Sequence, residues 1–252
     1  MGTAAERFNE RPRAAFDRIG RTIVYEGELQ RHRVYTRVLH WIVAVFFFLA
    51  LLSGFGIYAP WAFHWLTPVF GGGPMARLLH PWFGLGFALF FAFQFLNWLL
   101  PMRWTQADRR WLRNIRKYVT NEDKVESEEV GFFNAGQKVQ FWEIGVGCIV
   151  FLITGVIMWF PGTFGRIAVA ISYIIHDISA LIMLLGIFVH IYLSTFGEPQ
   201  TFQSMTRGTV SEPWAWTHHP GWYREVTGRD PRQALEEERR RRMAQSERGP
   251  GN

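Results

Sequence analysis

The sequence predicts an all-α fold, a four-helix transmembrane bundle with both termini cytoplasmic, and three observations carry that prediction. First, the 252 residues average to a globular composition, 49% hydrophobic and 19% charged, but charge is absent from Val38 to Ala76, Leu78 to Met102, Ile144 to Gly165 and Ile178 to Gly197. About 20 largely apolar residues cross a bilayer, and each run has that length. Second, Lys and Arg number 8 in residues 1–37, 8 between Arg103 and Lys138 and 9 after Gly197, against a lone Arg77 and a lone Arg166 in the two hairpins. The positive-inside rule then places both termini and the 103–138 loop in the cytoplasm, with the short hairpins outside. Third, each run ends at a helix breaker: Pro60, Pro101, Pro161, and Gly197 with Pro199.

The elements follow in order. Residues 1–36 form a charged cytoplasmic arm with some helical character, and Glu6, Arg7, Glu10 and Arg11 do not open a cleavable signal peptide. Residues 37–197 form the membrane domain. Span one runs from about Val38 to Ala59, and the outer loop after it holds the breaker cluster Pro68, Gly71, Gly72, Gly73 and Pro74. Span two runs from about His80 to Leu100. In the loop that follows, Trp111, Leu112, Ile115, Tyr118 and Val119 have the spacing of an amphipathic helix lying at the inner surface. Span three runs from about Gln137 to Phe160 and span four from about Ala168 to Thr195. Residues 198–252 are a cytoplasmic tail that begins with aromatics and ends in the solvated charge run Glu236 to Arg242, and no linker divides two folded domains.

Composition also excludes functions. The net charge of +6 is spent on the inner loops and leaves no basic, aromatic-rich module for nucleic acid, so the expected surroundings are membrane lipid and no nucleic acid. Cys148, the single cysteine, rules out an intrachain disulfide and an iron–sulfur cluster held by this chain alone, because such clusters need several thiolates. It lies within span three and reads as a small packed residue.

Four of the eight histidines, His40, His80, His176 and His190, fall in or at the ends of spans, where an ionisable side chain is a functional candidate by default. The direction of each span sets depth. His40 starts span one inside and His80 starts span two outside. Span four enters from outside, so His176 is near the outer surface and His190 lies roughly 21 Å deeper at 1.5 Å per residue. Fourteen residues at about 100° each fall 40° short of four turns, so both project from nearly one face. The histidines therefore form an outer pair, His80/His176, and an inner pair, His40/His190. Iron in a haem takes one imidazole from each of two helices, whereas zinc would want further donors that neither pair has. Gly54, fourteen residues after His40, sits at the outer level, where its missing side chain lets a porphyrin approach. Gly84 and Gly86 near His80 and Gly186 near His190 offer the same, or serve close helix packing. His32 and His64 read as surface or interfacial, and His218 with His219 lack a third metal ligand nearby.

The stretches Arg37-Val-Leu-His40-Trp, Leu79-His80-Pro-Trp-Phe-Gly84, Phe133-Asn-Ala-Gly-Gln-Lys138, Ile175-His176-Asp, Val189-His190-Ile-Tyr and His218-His-Pro-Gly-Trp-Tyr-Arg-Glu225 resemble the gamma, cytochrome b, subunit of respiratory formate dehydrogenase. The resemblance covers about Arg33 to Thr227. Its His40-Trp and His190 elements are shared with the cytochrome b subunits of hydrogenases and thiosulfate or polysulfide reductases, and the Asn-Ala-Gly-Gln-Lys and His-His-Pro segments are more specific. It implies a dihaem b-type cytochrome of the bacterial inner membrane holding two haem b groups, with a quinone as electron acceptor. It also implies an iron–sulfur beta subunit and a molybdenum or tungsten alpha subunit, the latter oxidising formate on the outer side. On this sequence, His80 and His176 hold the outer haem, His40 and His190 the inner one, and Asn134, Gly136 and Gln137 border the quinone.

An electron passing inward against a potential negative inside costs up to about 2.3 kcal/mol per 100 mV, so such a reaction stores energy. Ligating imidazoles are neutral, and their other N–H is expected to donate to a carbonyl or similar group. Asn134 to Lys138 sits where the inner loop enters span three; there it contacts a quinone carbonyl and haem propionates, or Asn134 is simply a helix N-cap. Glu143 is read as a proton relay or as half of an ion pair. Two other classes compete. A cofactor-free membrane anchor explains the spans but not the paired histidines, and a proton-coupled transporter lacks the repeat or broken helices that such folds carry.

Overall fold

In a computed structural model, residues 13–17, 20–25, 27–113 and 130–247 are described. They fall into two compact units that interleave along the chain: Val34–Leu100 with Val139–Gly197, and Met1–Arg33 with Pro101–Lys138 and Glu198–Asn252.

The first unit holds the spans. Helices α1 (Val34–Tyr58), α3 (Gly73–Trp98), α5 (Ala135–Trp159) and α6 (Pro161–Tyr192) are each long and apolar enough to cross a membrane. Many of their aliphatic and aromatic side chains, such as Val146, Ile149, Ile182 and Leu185, lie on the outside, as expected where the solvent is hydrocarbon and only the backbone must be satisfied internally. Helices α1 and α3 run in close backbone contact; the other spanning pairs stand farther apart and are bridged by side chains. Phe95 of α3 stacks on Phe141 of α5 with centroids 4.7 Å apart. Phe87, Ala88, Phe91 and Cys148 form the buried centre of this packing, which makes Cys148 the packed small residue its position predicted.

Span two begins earlier than about His80. The breaker cluster resolves into the short helix α2 (Pro60–Phe63), a 3-10 segment His64–Phe70 that includes Pro68, and two glycines at positive φ, Gly71 (86°) and Gly72 (100°). Helix α3 then starts at Gly73 with Pro74 in its first turn, where the missing N–H costs nothing. In α6, Gly165 (φ 76°, ψ 160°) breaks the helix after Pro161–Phe164, so the continuous span starts close to the expected Ala168.

The second unit departs further from expectation. Among its described residues the arm carries strands rather than the expected helix: β1 (Arg13–Asp17), β2 (Gly20–Tyr25) and β3 (Glu28–Gln30), in an antiparallel sheet of order β1-β2-β3-β4 with β4 (Thr209–Ser211) from the tail. Pairing of Leu29 with Val210 joins the two, and both are fully buried with Trp214, Ala215, Trp222 and Tyr223. Those aromatics sit on α8 (Glu212–His218), capped by Ser211 Oγ accepting from Trp214 N–H, and on α9 (Pro220–Thr227). Among the described residues the unit also holds α4 (Gln106–Arg113), α7 (Thr201–Thr206), and α10 (Pro231–Glu247), which carries the terminal charge run. Of the predicted surface helix, Trp111 and Leu112 lie on α4, whereas Ile115, Tyr118 and Val119 lie outside the described residues.

Candidate functional site

The four membrane histidines meet in the two predicted pairs. The ring centroids of His80 and His176 are 6.3 Å apart, and those of His40 and His190 are also 6.3 Å apart. An imidazole centroid lies about 1.1 Å from its nitrogens and a nitrogen–metal bond is about 2 Å, so two imidazoles clasping one metal place their centroids about 6 Å apart. Both pairs have that opening. Among the described residues no three His, Cys, Asp or Glu side chains gather as a metal site, so a metal held here needs a cofactor ring to fill its remaining positions. Haem iron, whose ring supplies the remaining donors, is a group that two such imidazoles would hold.

The His80/His176 pair is oriented by the neighbouring helices. Ser53 Oγ, on α1, donates to Leu49 O at 2.7 Å, and its oxygen is 3.1 Å from His80 Nδ1, which also lies 3.0 Å from Ala50 O. Thr154 Oγ1, on α5, donates to Val150 O at 2.7 Å and lies 2.7 Å from His176 Nδ1. With each hydroxyl hydrogen directed to a carbonyl four residues back, the hydroxyl oxygen accepts from Nδ1–H. That fixes the tautomer and leaves the Nε2 lone pair of both rings without a hydrogen bond among the described residues. This is the outer-shell arrangement expected of metal-binding histidine.

Each hydroxyl is followed by glycine, and both glycines face the ring that the hydroxyl holds. A side chain at Gly54 would put its Cβ 3.1 Å from His80 Cε1, and one at Gly155 would put it 3.9 Å from His176 Cε1. Gly54 thus makes room for the His80 imidazole, where the sequence predicted that it would face a porphyrin. Sequence reasoning passed over Ser53, Thr154 and Gly155, although a hydroxyl–glycine dipeptide isolated in each of two uncharged runs was the available signal.

The His40/His190 pair lacks such support. His40 Nδ1 is buried without a hydrogen-bond partner, and no hydrogen bond is made by the His190 ring among the described residues. Of the remaining glycines, Gly86 serves helix packing, because a side chain there would run into the Phe46 ring, and Gly84 faces open space. The space at Gly186 is taken by the Glu143 carboxylate, which accepts from Gln140 Nε2 at 3.1 Å.

At the start of α5, Asn134 and Gln137 hold each other. Gln137 N–H donates to Asn134 Oδ1 at 2.9 Å, and Asn134 N–H donates to Gln137 Oε1 at 3.0 Å. This is a reciprocal capping box, so Asn134 is an N-cap, and each side chain keeps its amide NH2 as a donor. Gly136 packs on Asn134 Oδ1 and Trp111, which an added Cβ would meet at 3.4 and 3.5 Å. Lys138 is not directed to a haem propionate: its Nζ is buried against Asp108 Oδ2 at 2.7 Å and Arg103 O at 3.0 Å. His64 is exposed as expected, whereas His32 is buried, edge-on to Phe132 at 5.4 Å, because the arm folds into the second unit.

Paired imidazoles at two levels of a helical membrane unit are the arrangement expected of a membrane cytochrome b. The family model described as prokaryotic cytochrome b561 matches residues 31–208, and the chain belongs to this family, within the group that contains the formate dehydrogenase cytochrome b556 subunits. It is 37% identical over 211 residues to the nitrate-inducible formate dehydrogenase cytochrome b556(Fdn) subunit of Escherichia coli K12, covering 82% of this chain and 95% of that one. It is 35% identical over 199 residues to the formate dehydrogenase cytochrome b556(fdo) subunit of the same organism, covering 78% and 92%. The formate dehydrogenase cytochrome b556 subunit of Haemophilus influenzae is 33% identical over 203 residues, covering 77% and 82%.

Proposed function

We propose that this chain is the membrane electron-transfer subunit of a formate dehydrogenase complex of the bacterial inner membrane, carrying two b haems between an iron–sulfur partner and a quinone. The observation that carries the reading is the doubled 6.3 Å imidazole spacing, together with relatives named for formate dehydrogenase. His80 and His176 hold the haem on the outer side, nearer a molybdenum- or tungsten-containing alpha subunit and its iron–sulfur beta subunit, and His40 and His190 hold the haem on the cytoplasmic side. When bound, the haems supply one-electron carriers at two levels of the bilayer.

The chain's own contribution is ligation, orientation and the handling of the acceptor. Nδ1–H of His80 and His176 is committed to Ser53, Ala50 and Thr154, which holds each Nε2 as the neutral donor that iron requires. The capping box points the amide oxygens of Asn134 and Gln137 at backbone N–H groups and leaves both NH2 groups as donors, the complement of a quinone carbonyl. Quinone plus two electrons and two protons gives quinol, and formate supplies the electrons by leaving as carbon dioxide. With the acceptor reduced on the cytoplasmic side, those protons are taken from the cytoplasm.

A reduced-minus-oxidised spectrum of membranes holding the complex tests the cofactor, with sharp b-type bands and two haems per chain expected and their absence overturning the reading. Asn134→Ala tests the acceptor site. Quinol formation is expected to slow by about tenfold, one charge-neutral donor at about 1.4 kcal/mol, while formate still reduces both haems; unchanged turnover would remove Asn134 from the site.

A further inference from the structure

The segment leading into the capping box is held carbonyl by carbonyl. Val130 O accepts from Gly221 N–H at 2.9 Å and Trp222 N–H at 3.3 Å, both at the start of α9. Gly131 O lies 2.8 Å from His219 Nδ1, and Phe132 O accepts from Arg31 Nη2. The same Arg31 nitrogen is 3.1 Å from His219 Nε2. A carbonyl only accepts, so Nδ1 carries the hydrogen of His219 and Nε2 is the acceptor that Arg31 donates to. Three successive carbonyls are thus occupied, and two residues further on the chain reaches Asn134.

The holding groups are themselves fixed. His219 is 0% exposed and Arg31 5% exposed. The Arg31 guanidinium carbon lies 4.3 Å from the Phe132 ring centroid, 4.7 Å from that of Trp222 and 5.0 Å from that of Trp214, a cage that favours a planar cation. Arg31 N–H donates to Gly208 O at 2.8 Å, which ties it to the β3–β4 end of the sheet. Burial, with the Arg31 cation beside it, holds the His219 imidazole well below its ordinary pKa and therefore neutral. All of these contacts lie within the second unit.

We propose that Arg31 and His219 are positioning residues for quinone reduction: by fixing the Val130–Phe132 carbonyls they set where Asn134 and Gln137 present their amide donors. The proposal rests on the quinone reading above and accounts for the His-His-Pro segment, which haem ligation leaves unexplained. The arm and the tail, which carry none of the haem ligands, are through these two residues part of the acceptor site.

The test uses the intact complex in detergent. The dissociation constant of a fluorescent hydroxyquinoline N-oxide, a quinone analogue, is read by quenching, beside KM and kcat for a short-chain quinone. His219→Leu is expected to weaken the analogue at least tenfold and to raise KM far more than it lowers kcat, with both b-haem bands retained. His219→Asn keeps an N–H for Gly131 O and is expected to return affinity to within threefold of the parent. Asn134→Ala, run in parallel, separates the two ideas. If it leaves analogue binding unchanged, the quinone reading falls and this proposal with it. If it weakens binding while His219→Leu does not, or if His219→Asn is as weak as His219→Leu, the positioning role is overturned and the quinone reading stands. Should His219→Leu fail to assemble, Arg31→Lys, which keeps the charge and loses the fork, carries the test: a loss of fivefold or more supports positioning, and parental affinity overturns it.

Discussion

The His80/His176 and His40/His190 pairs share one spacing, 6.3 Å between ring centroids, and differ in everything that surrounds it. In the first, each ring is held through Nδ1 by a hydroxyl on a neighbouring helix and fitted against the glycine that follows that hydroxyl, so all four spans contribute to one site. In the second, His40 Nδ1 is buried with no acceptor and the His190 ring has no hydrogen bond among the described residues. Spacing is set by the helix backbones, whereas orientation is set by single polar atoms. On the proposed haem assignment, the chain prepares one pair before the cofactor arrives, and the other pair is left to be oriented by the cofactor itself.

Removing a proposed ligand is expected to have the largest effect and tests whether the pairs are separate sites. His176→Ala is expected to halve the haem content by pyridine haemochrome assay, leaving one set of b-type bands, and His190→Ala to remove the complementary set. Loss of both haems from either variant would show that the pairs do not load independently, and the comparison between them would lose its meaning.

The next effect isolates orientation. Thr154→Val preserves shape but leaves His176 Nδ1–H without its acceptor, and outer-shell changes of this kind typically cost about 10–100-fold in metal affinity. Haem release to apomyoglobin, followed spectrally, is expected to accelerate by that factor for the His80/His176 haem alone. Equal release from both sites would mean that the hydroxyl does not prepare the first site.

The spans and the pairing of their histidines were legible because both depend on short-range regularities: an uncharged run has a length, and fourteen residues on a helix have a direction. The pairing of arm and tail was not legible. β3 is three residues long, and its partner β4 lies some 180 residues away in the chain, so neither has a local pattern that names the other. For the same reason His32 read as a surface residue; its burial comes from Phe132 and Phe133, which only tertiary folding brings to it. Breaker residues misled in the opposite sense. Gly73 and Pro74 read as a stop, but Pro in a first turn starts a helix, and α3 begins there. The acceptor segment was half legible: Asn134 and Gln137 have capping-box spacing, but the carbonyls that lead into them are held by His219, Gly221 and Trp222, about ninety positions later, and by Arg31, about a hundred positions earlier.

Gly54→Ala probes the fit beside the hydroxyl. Its Cβ would stand 3.1 Å from His80 Cε1, a few tenths of an ångström too close, so the cost falls at the low end of the ~1–3 kcal/mol expected of overpacking. Haem release from the His80/His176 site is expected to accelerate about fivefold. Gly155→Ala, whose Cβ would stand at an ordinary 3.9 Å from His176 Cε1, serves as the control and is expected to change little. The reverse order would show that the ring and not the glycine has room to move.

Ser53→Ala should be the mildest of the series, and the reason is again a single atom. His176 depends on Thr154, whereas His80 Nδ1 has both Ser53 Oγ at 3.1 Å and Ala50 O at 3.0 Å within reach. Deleting the serine hydroxyl leaves the backbone carbonyl to accept, so no polar group is stranded and the loss stays near the ~0.5–1.5 kcal/mol net value of a hydrogen bond. Release is expected to rise less than that of Thr154→Val. If the two variants release haem equally fast, the carbonyl is not an adequate substitute, and both rings of the pair depend on their hydroxyls alike.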